Sequence, residues 1–253
     1  MLGPLQEARH EMMSTMPDVS VILPILHAGN DYLRCLYSIR AALVGRTTYE
    51  IICVVRDIEE FTGSTGPDLH FFQEAVPGIY AAMNLGLQKA AGRYLYFLGQ
   101  DDVLLPSAAQ AIIQGKASNA DIIIADVFWG ERRVYRNSPS KNVLVWKNLC
   151  HQGLFYDRLK FINAVGVYPV QFEVQADHYA NIIFSSIVGL KIFKYTGCIA
   201  WYSSDGFSSR TLDAEFRCAF PMLVRKHIGV VSFYIVVARR FLLKLFRLVR
   251  NVK

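Results

Sequence analysis

Apolar positions fall into two rhythms along the first half of the chain. Short continuous runs at 19–25, 49–55, 69–72, 94–99 and 121–127 have strand length, and segments with helical spacing separate them. Leu33, Leu36, Tyr37, Ala41 and Val44 recur three to four residues apart behind Asn30, which suits an N-cap, and Gly45 ends that helix. Ile79, Ala82, Met83, Gly86 and Ala90 mark a second helix opened by Pro77-Gly78 and closed before Gly92; a third follows Pro106 as far as Gly115. Uniformly apolar strands alternating with helices predict a mostly parallel sheet covered on both faces, an α/β architecture.

The second half is less regular. Residues 132–135 and 143–146 suggest a hairpin around Asn137-Ser-Pro139. Helices are expected at 157–165 and 176–188, one or two strands at 190–202, and a helix at 211–227 interrupted near Pro221. Residues 1–17 are polar and without periodicity, and read as a flexible arm. This divides the chain into an arm, a catalytic domain at 18–209 and a helical basic tail at 210–253.

Charge sharpens that division. The net charge of +6 hides an asymmetry: residues 216–253 hold nine Lys or Arg and no acid, leaving 18 basic and 21 acidic residues elsewhere. Residues 228–238 carry no charge but are too few to span a bilayer. At 100° per residue, Arg239, Arg240, Lys244, Arg247, Arg250 and Lys253 share one half of a helical wheel. Phe241, Leu242, Leu245, Phe246, Leu248, Val249 and Val252 share the other, and only Leu243 is misplaced. That pattern fits a helix lying in an anionic membrane interface. Phe and Leu at this density favour lipid over nucleic acid, and packing on the domain or in a homo-oligomer stays open. Cys35, Cys53, Cys150, Cys198 and Cys218 stand singly, which argues against a zinc site. With no signal-peptide pattern before Asp18, they fit a reducing cytoplasm and an expected location on the cytoplasmic face of the membrane.

The most informative stretch is Arg93-Tyr-Leu-Tyr-Phe-Leu-Gly-Gln-Asp-Asp102. It is a buried strand that ends in two adjacent carboxylates, Asp101 and Asp102. Open α/β sheets bind ligands at that carboxyl edge, and paired acids suit a hard divalent ion carrying a phosphorylated ligand. An Asp-Asp turn capping the next helix has the same pattern.

Val19-Ser-Val-Ile-Leu-Pro24, Glu50-Ile-Ile-Cys-Val-Val55 and Gly78-Ile-Tyr-Ala-Ala-Met-Asn-Leu-Gly-Leu87, with the acidic stretch, resemble glycosyltransferase family 2. His151-Gln-Gly-Leu-Phe-Tyr156 and Ala176-Asp-His-Tyr-Ala-Asn-Ile182 resemble later segments of a bacterial cell-surface polysaccharide branch. The resemblance covers roughly residues 18–209. It implies a GT-A fold, a nucleotide-diphosphate sugar donor, Mg²⁺ or Mn²⁺ and inversion at the anomeric carbon. The implied metal residues are Asp101 and Asp102, and Asp177 is the implied base taking the acceptor hydroxyl's proton. Pro24, His27, Asp57 and Asn84 are expected around the donor, and His151 and Gln152 at a glycan or polyprenyl-lipid-linked acceptor. The chain departs from the pattern where Val76-Pro77 replaces Asp-Lys, where Ala81 replaces Asp, and in the loop Val55-Arg-Asp-Ile-Glu59. These departures leave a non-catalytic sugar-nucleotide-binding or membrane-associated scaffold as the alternative.

Overall fold

A computed structural model describes residues 16–61, 63, 66–130, 133–203 and 213–250, with side chains as far as 243. One nine-stranded mixed sheet organises these residues. Its first half is parallel: β3 (Leu69–Gln73), β2 (Tyr49–Val55), β1 (Val19–Ile25) and β4 (Tyr94–Phe97) lie side by side in that order. β1 runs at the centre of this half and shows why its strands read as unbroken apolar runs. Val21, Leu23 and Ile25 point into one core and Ile22 into the other. Helices α1 (Asn30–Leu43) and α3 (Ser107–Ala117) fill the first face, and α2 (Ile79–Lys89) covers the second. Gly86 lets α2 approach closely, because a Cβ there would stand 2.4 Å from the Ile22 side chain.

Beyond β4 the parallel order stops. β8 (Leu154–Asp157) inserts antiparallel between β4 and β6 (Ile122–Trp129), which pairs in parallel with β9 (Ile192–Tyr202). The short β5 (Val103–Leu104) closes that edge against β9, and β7 (Arg133–Tyr135) pairs with β6. The expected hairpin is therefore not formed. β7 takes β6 as its partner, and residues 141–145 coil into a 3₁₀ turn that buries Leu144 and Val145. β8 has no counterpart among the expected elements. At four residues, its apolar run is too short to show a period.

α4 (Arg158–Ala164), α5 (Ala176–Phe184) and α6 (Ala214–His227) complete the second face. Phe216 and Leu223 of α6 lie in that core, so the helix assigned to the tail contributes to the domain. α6 runs through Pro221 without interruption. Proline leaves the carbonyl of Arg217, four residues earlier, without its helical donor, and the guanidinium of Arg240 supplies one instead. Arg240 belongs to α7 (Val230–Arg250), which folds back on α6; its Val236 is buried with Val145 and Val224. No helix among the described residues is long and apolar enough to cross a membrane. Residues 1–15 of the expected arm, and the tail side chains from Lys244 onward, lie outside the described residues.

Candidate functional site

A cavity of about 490 Å³ opens at the carboxyl ends of β1 and β4. Both carboxylate groups named from the sequence face it, Asp101 and Asp102 from one half of the chain and Asp177 from the other. The first pair sits in the turn that leaves β4. A Cβ at Gly99 would meet the carboxylate oxygens of Asp101 and Asp102 at 2.9 Å each, so glycine makes room for both to fold back. Asp102 is almost fully buried. Its Oδ1 accepts from the Ser203 amide at 3.0 Å, and its Oδ2 accepts from the Gly99 amide at 3.1 Å and Gln152 Nε2 at 2.9 Å. Burial, and then the charge of Asp101, push its carboxyl up to about 6. Among the described residues no Lys or Arg forms an ion pair with either carboxylate.

Asp177 occupies the first turn of α5, where the helix dipole favours a carboxylate. Oδ1 accepts from the His178 amide at 2.8 Å and the Tyr80 hydroxyl at 3.2 Å. Oδ2 accepts from Asn148 Nδ2 at 2.7 Å, and His151 Nδ1 lies 3.5 Å away. Burial works to raise its pKa, but His151, through hydrogen bonding and charge, and His178 outweigh it and hold the group below the usual range. A chain of bonds stands behind Asn148: Asn181 Nδ2 donates to its Oδ1 at 2.8 Å, and the Tyr156 hydroxyl donates to Asn181 at 2.6 Å. Asp177 is thus an ionised carboxylate held in one orientation, with 13 % of its side chain still exposed.

The structure redistributes the other expected residues. Pro24 and His151 line the cavity. Gln152 lines it too; it is buried, with Nε2 on Asp102 and Oε1 accepting from the Cys150 thiol at 3.0 Å. The Tyr96 hydroxyl holds its carbonyl at 2.8 Å, so Gln152 positions Asp102. Asn84 is not among the residues that line this cavity. Its amide binds both the carbonyl and the N–H of Tyr168 at 2.8 Å, and so ties α2 to the 165–170 loop. His27 and Asp57 line a separate cleft with Arg56 and Glu60, where Asp57 caps the 58–61 turn through the Glu59 amide. Sequence reasoning missed Asn148 and Tyr80 as partners of Asp177, and Gln100, whose Oε1 holds the Leu26 amide at 2.6 Å. Tyr80 and Gln100 stand inside the quoted motifs, whereas nothing in the sequence around Asn148 signals its part.

Comparison with known proteins decides what kind of site this is. The profile of glycosyl transferase family 2 matches residues 20–173. This chain belongs to that family. The PGL/p-HBAD biosynthesis glycosyltransferase of Mycobacterium bovis (strain BCG) is 30% identical over 244 residues, covering 89% of this chain and 91% of the relative. The uncharacterized glycosyltransferase YibD of Escherichia coli K12 is 25% identical over 174 residues, 62% of this chain and half of that protein. Among solved structures, S. aureus TarS 1-349 in complex with UDP-GlcNAc superposes with a TM-score of 0.68 at 14% identity over 82% of this chain. The mannosyltransferase PcManGT of Pyrobaculum calidifontis, in complex with GDP-Man and Mn²⁺, gives 0.55 at 16% over 89%. This chain spans 65% of each of those two structures. Its fold is that of the GT-A glycosyltransferases, a mixed α/β sheet with its site at the carboxyl edge.

Proposed function

We propose that this glycosyltransferase moves a sugar from a nucleotide-diphosphate donor, with inversion, to a glycan or polyprenyl-lipid-linked acceptor in surface polysaccharide or glycolipid assembly. The observation that carries the reading is one cavity that gathers an acidic pair from the turn after β4 and a single oriented carboxylate from α5. Transfer with inversion needs two different electrostatic tasks on opposite sides of the sugar. The leaving diphosphate gains negative charge, while the acceptor hydroxyl must lose a proton. Asp177 takes that proton, and its four neighbours keep the carboxylate aimed as it does so.

The acidic pair fits Mg²⁺ or Mn²⁺. Asp102 is buried beside a like charge and, among the described residues, forms no ion pair with Lys or Arg; burial and Asp101 raise its carboxyl to about 6, and a hard cation would relieve both costs. Among the described residues no three His, Cys, Asp or Glu side chains are placed to hold an ion. Asp101 and Asp102 would therefore share the ion with diphosphate oxygens and water, and firm metal binding should need the donor. When bound, the ion supplies charge neutralisation at the leaving group. The donor assignment is supported by relatives of this fold solved with UDP-GlcNAc and with GDP-Man and Mn²⁺. The acceptor assignment is supported by the curated relative whose name places it in PGL/p-HBAD biosynthesis.

Location follows from α7. Its basic, aromatic-rich sequence and exposed apolar positions support a peripheral association with the anionic cytoplasmic membrane face. The deciding experiment assays UDP-, GDP- and dTDP-sugars for hydrolysis and transfer in Mn²⁺ and in EDTA. Turnover with one donor class, lost in EDTA, is the expected result. Tight donor binding without hydrolysis or transfer under any condition would show a scaffold instead.

A further inference from the structure

The turn that leaves β4 presents its two carboxylates differently. Three donors hold that of Asp102, whereas among the described residues no hydrogen bond reaches the carboxylate of Asp101. The direction of Asp101 is therefore set by its backbone, and the grip on that backbone comes from α1. Arg34, Cys35 and Ser38 share one side of this helix, and each bonds the turn. Cys35 Sγ donates to the Gly99 carbonyl at 3.4 Å, Arg34 Nη2 donates to the Asp101 carbonyl at 3.0 Å, and Ser38 Oγ accepts from the Leu104 amide at 3.0 Å. Gln100, on the Leu26 amide, ties the same turn to the loop before α1.

Arg34 stands apart from the other two because it is charged and bonds the residue that carries the free carboxylate. An arginine left to itself beside two acids would become their counter-ion. Here the nitrogen that holds the Asp101 carbonyl also lies 3.1 Å from Asp31 Oδ1, one turn earlier on α1. The guanidinium is 6.0 Å from the ring of Trp201, two residues before the Ser203 amide that holds Asp102. Arg34 and Asp31 are 50% and 59% exposed, so water screens their pair and its own contribution to stability is small.

We propose that Arg34 is a positioning residue for the divalent ion: it sets the direction in which Asp101 offers its carboxylate, and Asp31 keeps the guanidinium from closing the acidic pair. This deepens the metal reading above and rests on it. Arginine suits the task because its planar fork serves a carboxylate and a carbonyl from fixed directions, where lysine offers a rotating point charge. With its charge answered by Asp31, Arg34 supplies a hydrogen bond to the turn without competing for the oxygens that face the cavity.

The test titrates Mn²⁺ into the full chain by electron paramagnetic resonance, with UDP, GDP and dTDP in turn, and measures nucleotide affinity separately in EDTA. Arg34→Met should lose roughly tenfold in Mn²⁺ affinity, the usual scale for a group that orients a metal ligand, and keep its nucleotide affinity in EDTA. Arg34→Lys, which retains a donor for the carbonyl, should recover part of that loss. Asp31→Asn frees the guanidinium to lean on the acidic pair and should lose roughly threefold. Combined with Arg34→Met it should lose no more than Arg34→Met alone. Arg46→Gln is the control, since Arg46 also donates to backbone carbonyls, those of Ala41 and Ala42, but at the far end of α1. It should bind Mn²⁺ like the wild type. Wild-type Mn²⁺ affinity in Arg34→Met would overturn the proposal. So would an equal fall of nucleotide affinity in EDTA, which would mean a general disturbance of the cavity. Additive losses in the double variant would strike out the part given to Asp31. A wild-type chain that held no Mn²⁺ with any of the three nucleotides would sink the metal reading itself, and this inference with it.

Discussion

Asp102 and Asp177 look into one cavity from different halves of the chain, and their surroundings push them in opposite directions. Burial raises both. At the β4 end the nearest charge is another carboxylate and the donors are neutral, so Asp102 climbs to about 6. At the α5 end, His151 and His178 outweigh burial, so Asp177 stays ionised. Among the described residues the parallel half thus builds an acidic pair without a Lys or Arg counter-ion, and the antiparallel half builds a finished anion. One is suited to receive a cation with a diphosphate; the other is suited to accept a proton.

Exchanging the two chemistries breaks the comparison most directly. Asp177→Asn should bind donor normally and lose transfer by roughly 10²–10⁴-fold, whereas Asp102→Ala should lose metal-dependent donor binding itself. Calorimetric titration of donor with Mn²⁺, beside single-turnover transfer, separates the two; wild-type transfer in either variant would refute its assigned role.

Removing the histidine sharpens the contrast. His151→Ala should let burial raise Asp177, so the acid limb of the transfer profile moves to higher pH. The sign follows from linkage. The depressed pKa of Asp177 gives stability that is present above the ordinary carboxylate range and lost as pH falls through the lowered value. The alanine variant should surrender part of it. An unmoved acid limb would mean that His151 does not act on Asp177.

A smaller effect is expected from Tyr80→Phe, which deletes one donor to Asp177 Oδ1 and keeps the ring stacked on Tyr168. One hydrogen bond of about 1 kcal/mol corresponds to at most about a fivefold loss in kcat, with donor affinity unchanged in the same assay.

The smallest concerns the acidic pair without metal or donor. In EDTA, Asp101→Asn should raise the melting temperature above pH 6 by the equivalent of about 1 kcal/mol. Because Asp102 is protonated below about 6, the repulsion and the gain should both vanish as pH falls through that value. A gain that persists at pH 4 would point to a cause other than charge.

How much of this was legible in the sequence differs between the same two halves. Buried parallel strands such as 19–25 and 49–55 announce themselves as apolar runs, and Asp101-Asp102 is visible because its members are contiguous. The antiparallel half is held by single polar side chains: Asn137 bridging Ala125 and Cys150, Asn181 on Asn148, Gln152 on Asp102. Each acts between residues 12 to 50 positions apart and leaves no periodic trace. For the same reason the sequence around Asn84, inside a recognisable motif, does not show that its side chain clamps Tyr168. His27 and Asp57 follow the correct strands and yet open onto a neighbouring cleft. A strand's end can be read from the pattern, but the direction of its loop cannot.

The arginine that completes α6 makes two positions 19 residues apart genetically inseparable. While residue 221 is proline, Arg240 supplies a donor that no backbone amide can. Pro221→Ala restores that amide, and the cost of then losing Arg240 should fall. A double-mutant cycle would read this as a coupling energy between residues that need not touch. Substitutions at 240 would be tolerated in a background with alanine at 221 and penalised in this one, so the order in which such changes accumulate along a lineage is constrained by a single missing hydrogen.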